Sequence, residues 1–153
     1  MDLILWRHAE AHVLREGQTD LERRLTPQGE RLARRMGLWL QQRLPATAKI
    51  LVSPAARTIA TADALERKYR LEPRLAPDLG VEPLLAAAGW PDAVQTVLVV
   101  GHQPTLGWVA STLMSGAPQP WSLKKGAVWW LRSRVRDGQC QTVLHAVMSS
   151  DLL

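Results

Sequence analysis

Two runs without a polar residue, Leu3-Ile4-Leu5-Trp6 and Val97-Leu98-Val99-Val100, limit what this chain can fold into more than any other feature. A strand with one face in water alternates apolar and polar residues. An unbroken apolar run asks for cover on both faces, as in a parallel sheet packed between helices. Both runs stop abruptly, the first on Arg7-His8 and the second on Gly101-His102. In open α/β sheets ligands sit just beyond the carboxyl ends of the strands, which makes both exits candidate sites.

The rest of the chain supplies the cover. Ala9 to Arg24 reads as a polar loop, and Thr26-Pro27 then starts a helix, with Thr26 as N-cap and Pro27 at the first helical position. Leu32, Met36, Trp39 and Leu40 give that helix its apolar side, and it ends near Pro45. Lys49 to Ser53 is a second strand. Ser53 is expected to cap a helix that runs to about Tyr69, with Ala55, Ile59, Ala62, Leu65 and Tyr69 buried and Arg57 off that stripe in the first turn. A cation there opposes the helix dipole unless an anion sits beside it. Pro73 to Pro91 carries Asp78 and Glu82 and ends a short helix at Gly89. After His102, Pro104 starts a helix with Leu106, Val109, Ala110 and Leu113 inward. Ala127–Ser133 and Cys140–Met148 read as strands of a hairpin turning at Asp137-Gly138. The expected fold is α/β: three layers, α/β/α, with a mostly parallel central sheet and the antiparallel C-terminal hairpin at one side.

Length and composition fit this reading: 153 residues, 46% apolar and 22% charged, suit one domain over 1–153. No apolar run approaches a membrane span and the start lacks a signal-peptide pattern, so a cytoplasmic location is expected. Cys140 is the only cysteine, which rules out an intrachain disulfide and a cysteine-rich zinc site; neither a metal nor another cofactor is expected. The net charge of +5, with Arg23, Arg24, Arg31, Arg34 and Arg35 close in sequence, favours anionic partners without choosing among them. Seven tryptophans beside no phenylalanine have no functional explanation here.

Three strand exits carry Arg7-His8, Ser53 with Arg57 one turn on, and His102. In a parallel sheet these ends share one edge, so two guanidinium forks and two imidazoles can surround a single anion. Arginine grips phosphate oxygens bidentately, and a neutral histidine held through one ring nitrogen is a competent nucleophile through the other.

Arg7-His8-Ala9 at the end of the first strand, Ser53-Pro54-x-x-Arg57 followed by Thr61-Ala62, and Gly101-His102 after a later strand together resemble the histidine phosphatase superfamily, also called phosphoglycerate mutase-like. The Arg24-x-Thr26-Pro27-x-Gly29 run, the Val99 to Pro104 stretch and the short length are most similar to its compact branch, the SixA-type phosphohistidine phosphatases. The resemblance covers nearly the whole chain. It implies a metal-independent phosphatase in which His8 attacks phosphorus and becomes a transient phosphohistidine, while Arg7, Arg57 and His102 hold the phosphoryl oxygens. The family usually adds a carboxylic acid that protonates the leaving group. Asp78 is the best positional match, Glu82 is its rival, and no dedicated acid is a third reading. Larger members typically have glutamate and a long lid-bearing insertion that this chain lacks.

That departure bears on the substrate. An alkoxide leaves poorly without an acid, whereas a protonated phosphohistidine ring leaves as neutral imidazole, and an open site admits a protein-borne phosphoryl group. The expected partner is therefore a phosphohistidine-bearing protein such as a phosphotransfer domain, with a small phosphate ester as the alternative substrate. A phosphate-binding module without turnover is the reading from another class, and a nucleic-acid partner is not favoured because the chain has no aromatic-basic motif. His12 is read as a loop histidine near the rim, His145 as a strand residue, Cys140 as packing, and Glu10 and Asp20 as ordering the first loop against Arg23 or Arg24.

Overall fold

The computed structural model describes residues 1–153. Strands β1 (Asp2–Arg7), β2 (Lys49–Val52), β3 (Arg70–Leu71), β4 (Val97–Gly101), β5 (Val128–Arg136) and β6 (Gln139–Met148) form one sheet in the order β3-β2-β4-β1-β5-β6. The first four run parallel, and β5 pairs antiparallel with β1 in the register Leu5↔Trp129. Helices α1 (Pro27–Gln41), α2 (Ala56–Asp63), α3 (Val81–Ala88) and α4 (Thr105–Ser115) cover the two faces.

The apolar runs do what their composition demands. Side chains alternate across the pleat, so Leu3, Leu5, Val97 and Val99 meet Leu84 and Ala88 of α3 and Leu106, Val109 and Ala110 of α4. Ile4, Trp6, Leu98 and Val100 meet Met36 and Leu40 of α1, Ala62 of α2 and Leu65 just past its end on the other face. Burying each such side chain is worth roughly 1.5–3 kcal/mol, which fixes β1 and β4 at the centre of the sheet. The hairpin turns at Asp137 and Gly138, with φ of 51° and 74°, the left-handed pair that matches the twist of the flanking strands. No helix is long and apolar enough to cross a membrane.

Several local expectations give way. Ser53 does not cap α2: the N-cap is Ala55, because the Ser53 side chain is turned toward His102. The helix stops at Asp63 rather than Tyr69, since Glu66 takes a left-handed φ of 54° and the chain turns toward β3, a two-residue strand that the sequence does not announce. Arg57 is buried, not off the covered side. On α1 the deepest positions are Gly29, Ala33, Met36, Gly37 and Leu40, with Leu32 at the margin. Small residues are required there, since a Cβ on Gly29 would lie 2.1 Å from the Glu10 carbonyl oxygen. Thr26 caps α1 as expected, accepting from the Gly29 N–H at 3.0 Å. On α4, Pro104 is the N-cap and the first helical residue is Thr105.

Candidate functional site

The sheet holds the exit of β1 from both sides. The His8 N–H donates to the Gly101 carbonyl, the His8 carbonyl accepts from the Gly126 N–H, and the Arg7 N–H donates to the Ala127 carbonyl, all within 3.1 Å. The His8 ring, 7% exposed, has Nδ1 at 2.7 Å from the Ala9 carbonyl oxygen. A carbonyl only accepts, so Nδ1 carries the hydrogen and Nε2 keeps its lone pair. Burial, followed by the nearby charges of Arg57, Arg7 and Arg23, pushes the His8 pKa down to about 4 against the opposing Ala9 bond. The ring is neutral at neutral pH.

His102, at the exit of β4, stands with its ring centroid 5.4 Å from that of His8. Its Nε2 lies 2.7 Å from Ser53 Oγ at the exit of β2. Burial first, then Arg57 and His8, push its pKa down to about 3. Arg7 donates from Nη1 to the Leu123 carbonyl at 2.7 Å. Arg57 donates from Nη1 to the Asp20 carbonyl at 2.7 Å and from Nη2 to Asp20 Oδ2 at 2.9 Å. Beyond these contacts, Arg7 Nε, Arg57 Nε and His102 Nδ1 are buried with no hydrogen-bond partner. They are three of the four such side-chain atoms in the protein, and all three belong to residues lining one cavity of about 260 Å³ with His8. An unpaired buried donor costs about 1–3 kcal/mol. The two arginine Nε atoms are donors outright and His102 Nδ1 is one in the tautomer whose Nε2 accepts from Ser53, so the cavity calls for an acceptor-rich anion, and the His8 lone pair is part of the same wall.

The structure thus brings Arg7, His8, Arg57 and His102 together as expected from the strand exits. Asp78 joins them on the cavity wall, from a residue with a left-handed φ of 66°. Glu82 does not: it is exposed in the first turn of α3 and lies outside the cavity wall. His12 is half-buried outside the cavity, its carbonyl accepting from Arg23 Nε. His145 sits on β6, edge-on to Trp130, and Cys140 is exposed. No group of three or more histidine, cysteine, aspartate or glutamate side chains is placed to hold a metal ion.

Asp20, Arg23, Gln103 and Lys125 also line the cavity, and sequence reasoning missed them as site residues. Gln103 was discoverable, since it follows His102 directly; it accepts from the Gly107 N–H at 2.8 Å and donates to the Trp121 carbonyl at 2.9 Å, tying α4 to the segment behind Arg7. Asp20, in a 3-10 turn at Asp20–Glu22, does pair with Arg23 as expected, but its bond to Arg57 and the place of Lys125 on the wall come only through tertiary contacts. A larger groove of about 470 Å³ lies among Asp2, Trp39, Arg43, Trp130 and His145, but none of the orphaned donors faces it, and its Arg132 is already paired with Asp2.

Comparisons with known proteins agree with this geometry. The sequence pattern of the histidine phosphatase superfamily (branch 1) matches residues 3–80. The uncharacterized protein ML1117 of Mycobacterium leprae is 36% identical over 115 residues, 70% of each chain. Phosphohistidine phosphatase SixA of Escherichia coli is 28% identical over 128 residues, 78% of each chain. A solved structure from Nakamurella multipartitia, provisionally named a phosphohistidine phosphatase SixA, is 33% identical with a TM-score of 0.75, covering 97% of this chain and 95% of that one. The chain belongs to the histidine phosphatase superfamily, branch 1, and is a phosphatase.

Proposed function

We propose that this chain, acting as one domain over residues 1–153, removes the phosphoryl group from phosphohistidine on a protein, through a covalent intermediate on His8 and without a metal. The observation that carries the reading is the set of buried donors without partners on Arg7, Arg57 and His102 beside the bare Nε2 of His8. The His8 Nε2 lone pair attacks phosphorus. The bond from phosphorus to the substrate nitrogen breaks, and its electron pair leaves with the substrate imidazole, neutral because its other ring nitrogen carries a proton. Arg7, Arg57 and His102 donate to the equatorial oxygens, where charge spreads during transfer. Water then attacks phosphorus on His8, releasing inorganic phosphate and returning the lone pair to Nε2.

Two further observations support the protein substrate. Between β2 and β4 the longest helices are the eight-residue α2 and α3, beside β3 and a single 3-10 turn at Pro73–Leu75, so this segment carries no long helical insertion. The similarity to the phosphohistidine phosphatase SixA extends over 78% of the chain. Asp78 on the cavity wall favours a second reading, a small-molecule phosphomonoesterase, because a carboxyl there can protonate an alkoxide.

The test is phosphate release, with EDTA present, from a phosphohistidine-bearing phosphotransfer domain and from an aryl phosphate, for wild type and His8→Ala. Release from the phosphoprotein that His8→Ala abolishes is the expected result. Release only from the aryl phosphate selects the second reading, and release from neither overturns both.

A further inference from the structure

Arg57 is held by a residue from a distant part of the chain. Its only side-chain hydrogen bonds run to Asp20, from Nη1 to the backbone oxygen and from Nη2 to Oδ2. These two contacts occupy the end of the guanidinium fork. Nε, on the side edge of the same plane, is buried and has no acceptor. The second carboxylate oxygen of Asp20 accepts from Arg23 Nη1 at 3.2 Å, and Arg23 is anchored in turn through Nε to the His12 carbonyl at 2.9 Å. Asp20, Arg23 and Arg57 all line the cavity.

The guanidinium is a rigid planar fork at the end of a long flexible stem, so fixing one edge fixes where the other edge points. The Asp20 side chain is 47% exposed and that of Arg57 only 5%. The buried guanidinium has no other acceptor in the protein, so the pair with Asp20 fixes the orientation of Arg57.

We infer that Asp20 is the positioning residue of this site: it holds Arg57 by the end of its fork so that Nε and the neighbouring Nη hydrogen face the phosphoryl oxygens. The inference rests on the phosphatase reading of the same cavity. Asp20 does not serve as the acid. Against the desolvation that pushes it up, hydrogen bonds from Arg57 and Arg23 hold its carboxyl below the ordinary value, so it stays ionised. It acts through Arg57 and does not touch the leaving group.

The test compares wild type, Asp20→Ala, Asp20→Asn, Arg57→Ala and the Asp20→Ala/Arg57→Ala pair. The readouts are kcat and KM on an aryl phosphate and the affinity for inorganic phosphate by calorimetry. Asp20→Ala is expected to lower kcat/KM about tenfold and to weaken phosphate binding, as lost charge-assisted contacts do. Asp20→Asn, which keeps an oxygen for Arg57, recovers most of the loss. In the Arg57→Ala background the Asp20 change is expected to alter both quantities by less than about twofold, since the residues act as one unit. Tighter phosphate binding by Asp20→Ala would mean that Asp20 competes with the anion, and equal losses in both backgrounds would mean that it acts elsewhere; either overturns the inference. Should Asp20→Ala not fold, Asp20→Glu keeps the charge and displaces the carboxylate, and wild-type phosphate affinity in that variant overturns the inference equally. A wild type that turns over neither the aryl phosphate nor a phosphohistidine-bearing protein fails the phosphatase reading instead, a result that calorimetry on the variants keeps separate.

Discussion

Ser53 Oγ and His102 Nε2 share a buried hydrogen bond of 2.7 Å that joins the exits of β2 and β4. The two strands are neighbours in register, Val52 beside Val100, and Ser53 follows the last residue of β2 as His102 follows the last residue of β4, Gly101, so the two side chains meet at the same edge. The bond has a chemical consequence. For His102 Nδ1 to donate to an anion, Nε2 of the neutral ring must be the acceptor, and the Ser53 hydroxyl supplies the hydrogen.

Ser53→Ala is therefore expected to lower kcat/KM about tenfold, the worth of one hydrogen bond of roughly 1.4 kcal/mol, with little change in fold. Steady-state kinetics measures the loss. Nitrogen-15 NMR of the His102 ring checks the cause, because the variant should show a mixture of tautomers where wild type shows one; unchanged kinetics with a single tautomer would contradict the assignment.

Asp78 and Glu82 are separated by their placement. Asp78→Asn is expected to reduce turnover of an alkyl phosphate at least about tenfold while changing phosphohistidine turnover by less than about threefold, since only the alkoxide needs a proton donor. Glu82→Gln should change neither. Parallel assays on the two substrates decide this, and a loss of more than about a hundredfold on both would show that phosphohistidine also needs the acid.

The buried histidines predict an acid limb of stability. His8 and His102 have pKa values near 4 and 3 in the folded chain, below the ordinary value of 6.5. Between these limits the unfolded chain binds more protons than the folded one. Stability is full above about pH 6.5 and falls as the pH drops toward 4, by at most about 1.4 kcal/mol per pH unit for each ring. Glu72, held at about 2 chiefly by its hydrogen bond from Arg74, adds a loss only below its ordinary 4.5. Chemical denaturation from pH 7 to 5 should show the histidine slope, and a His8→Gln/His102→Gln variant should flatten it.

Gly107 lets α4 approach the segment behind Arg7. A Cβ there would lie 1.8 Å from the Trp121 carbonyl oxygen, and the Leu123 carbonyl two residues on holds Arg7 Nη1. Gly107→Ala is expected to cost about 1–3 kcal/mol of stability by overpacking and to lower activity by shifting Arg7. Denaturant midpoints and kinetics measure the two effects separately.

The apolar runs Leu3 to Trp6 and Val97 to Val100 were enough to determine a sheet buried on both faces, and their abrupt ends marked Arg7, His8 and His102 at its carboxyl edge. Asp137-Gly138 determined the hairpin because its left-handed conformation is a local property. Those signals work at short range: burial pattern, strand exit and turn chemistry are written within a few residues. Ser53 resembles a helix cap for the same reason, since its local environment favours a helix start and only the neighbouring strand brings His102 to its hydroxyl. Tertiary structure alone turned Arg57 inward onto Asp20, brought Lys125 and Asp78 to the cavity wall, and left Glu82 outside it. These residues are far apart in sequence, and the hydrogen bonds and packing that select their neighbours exist only after the sheet has set the distances between its strand ends.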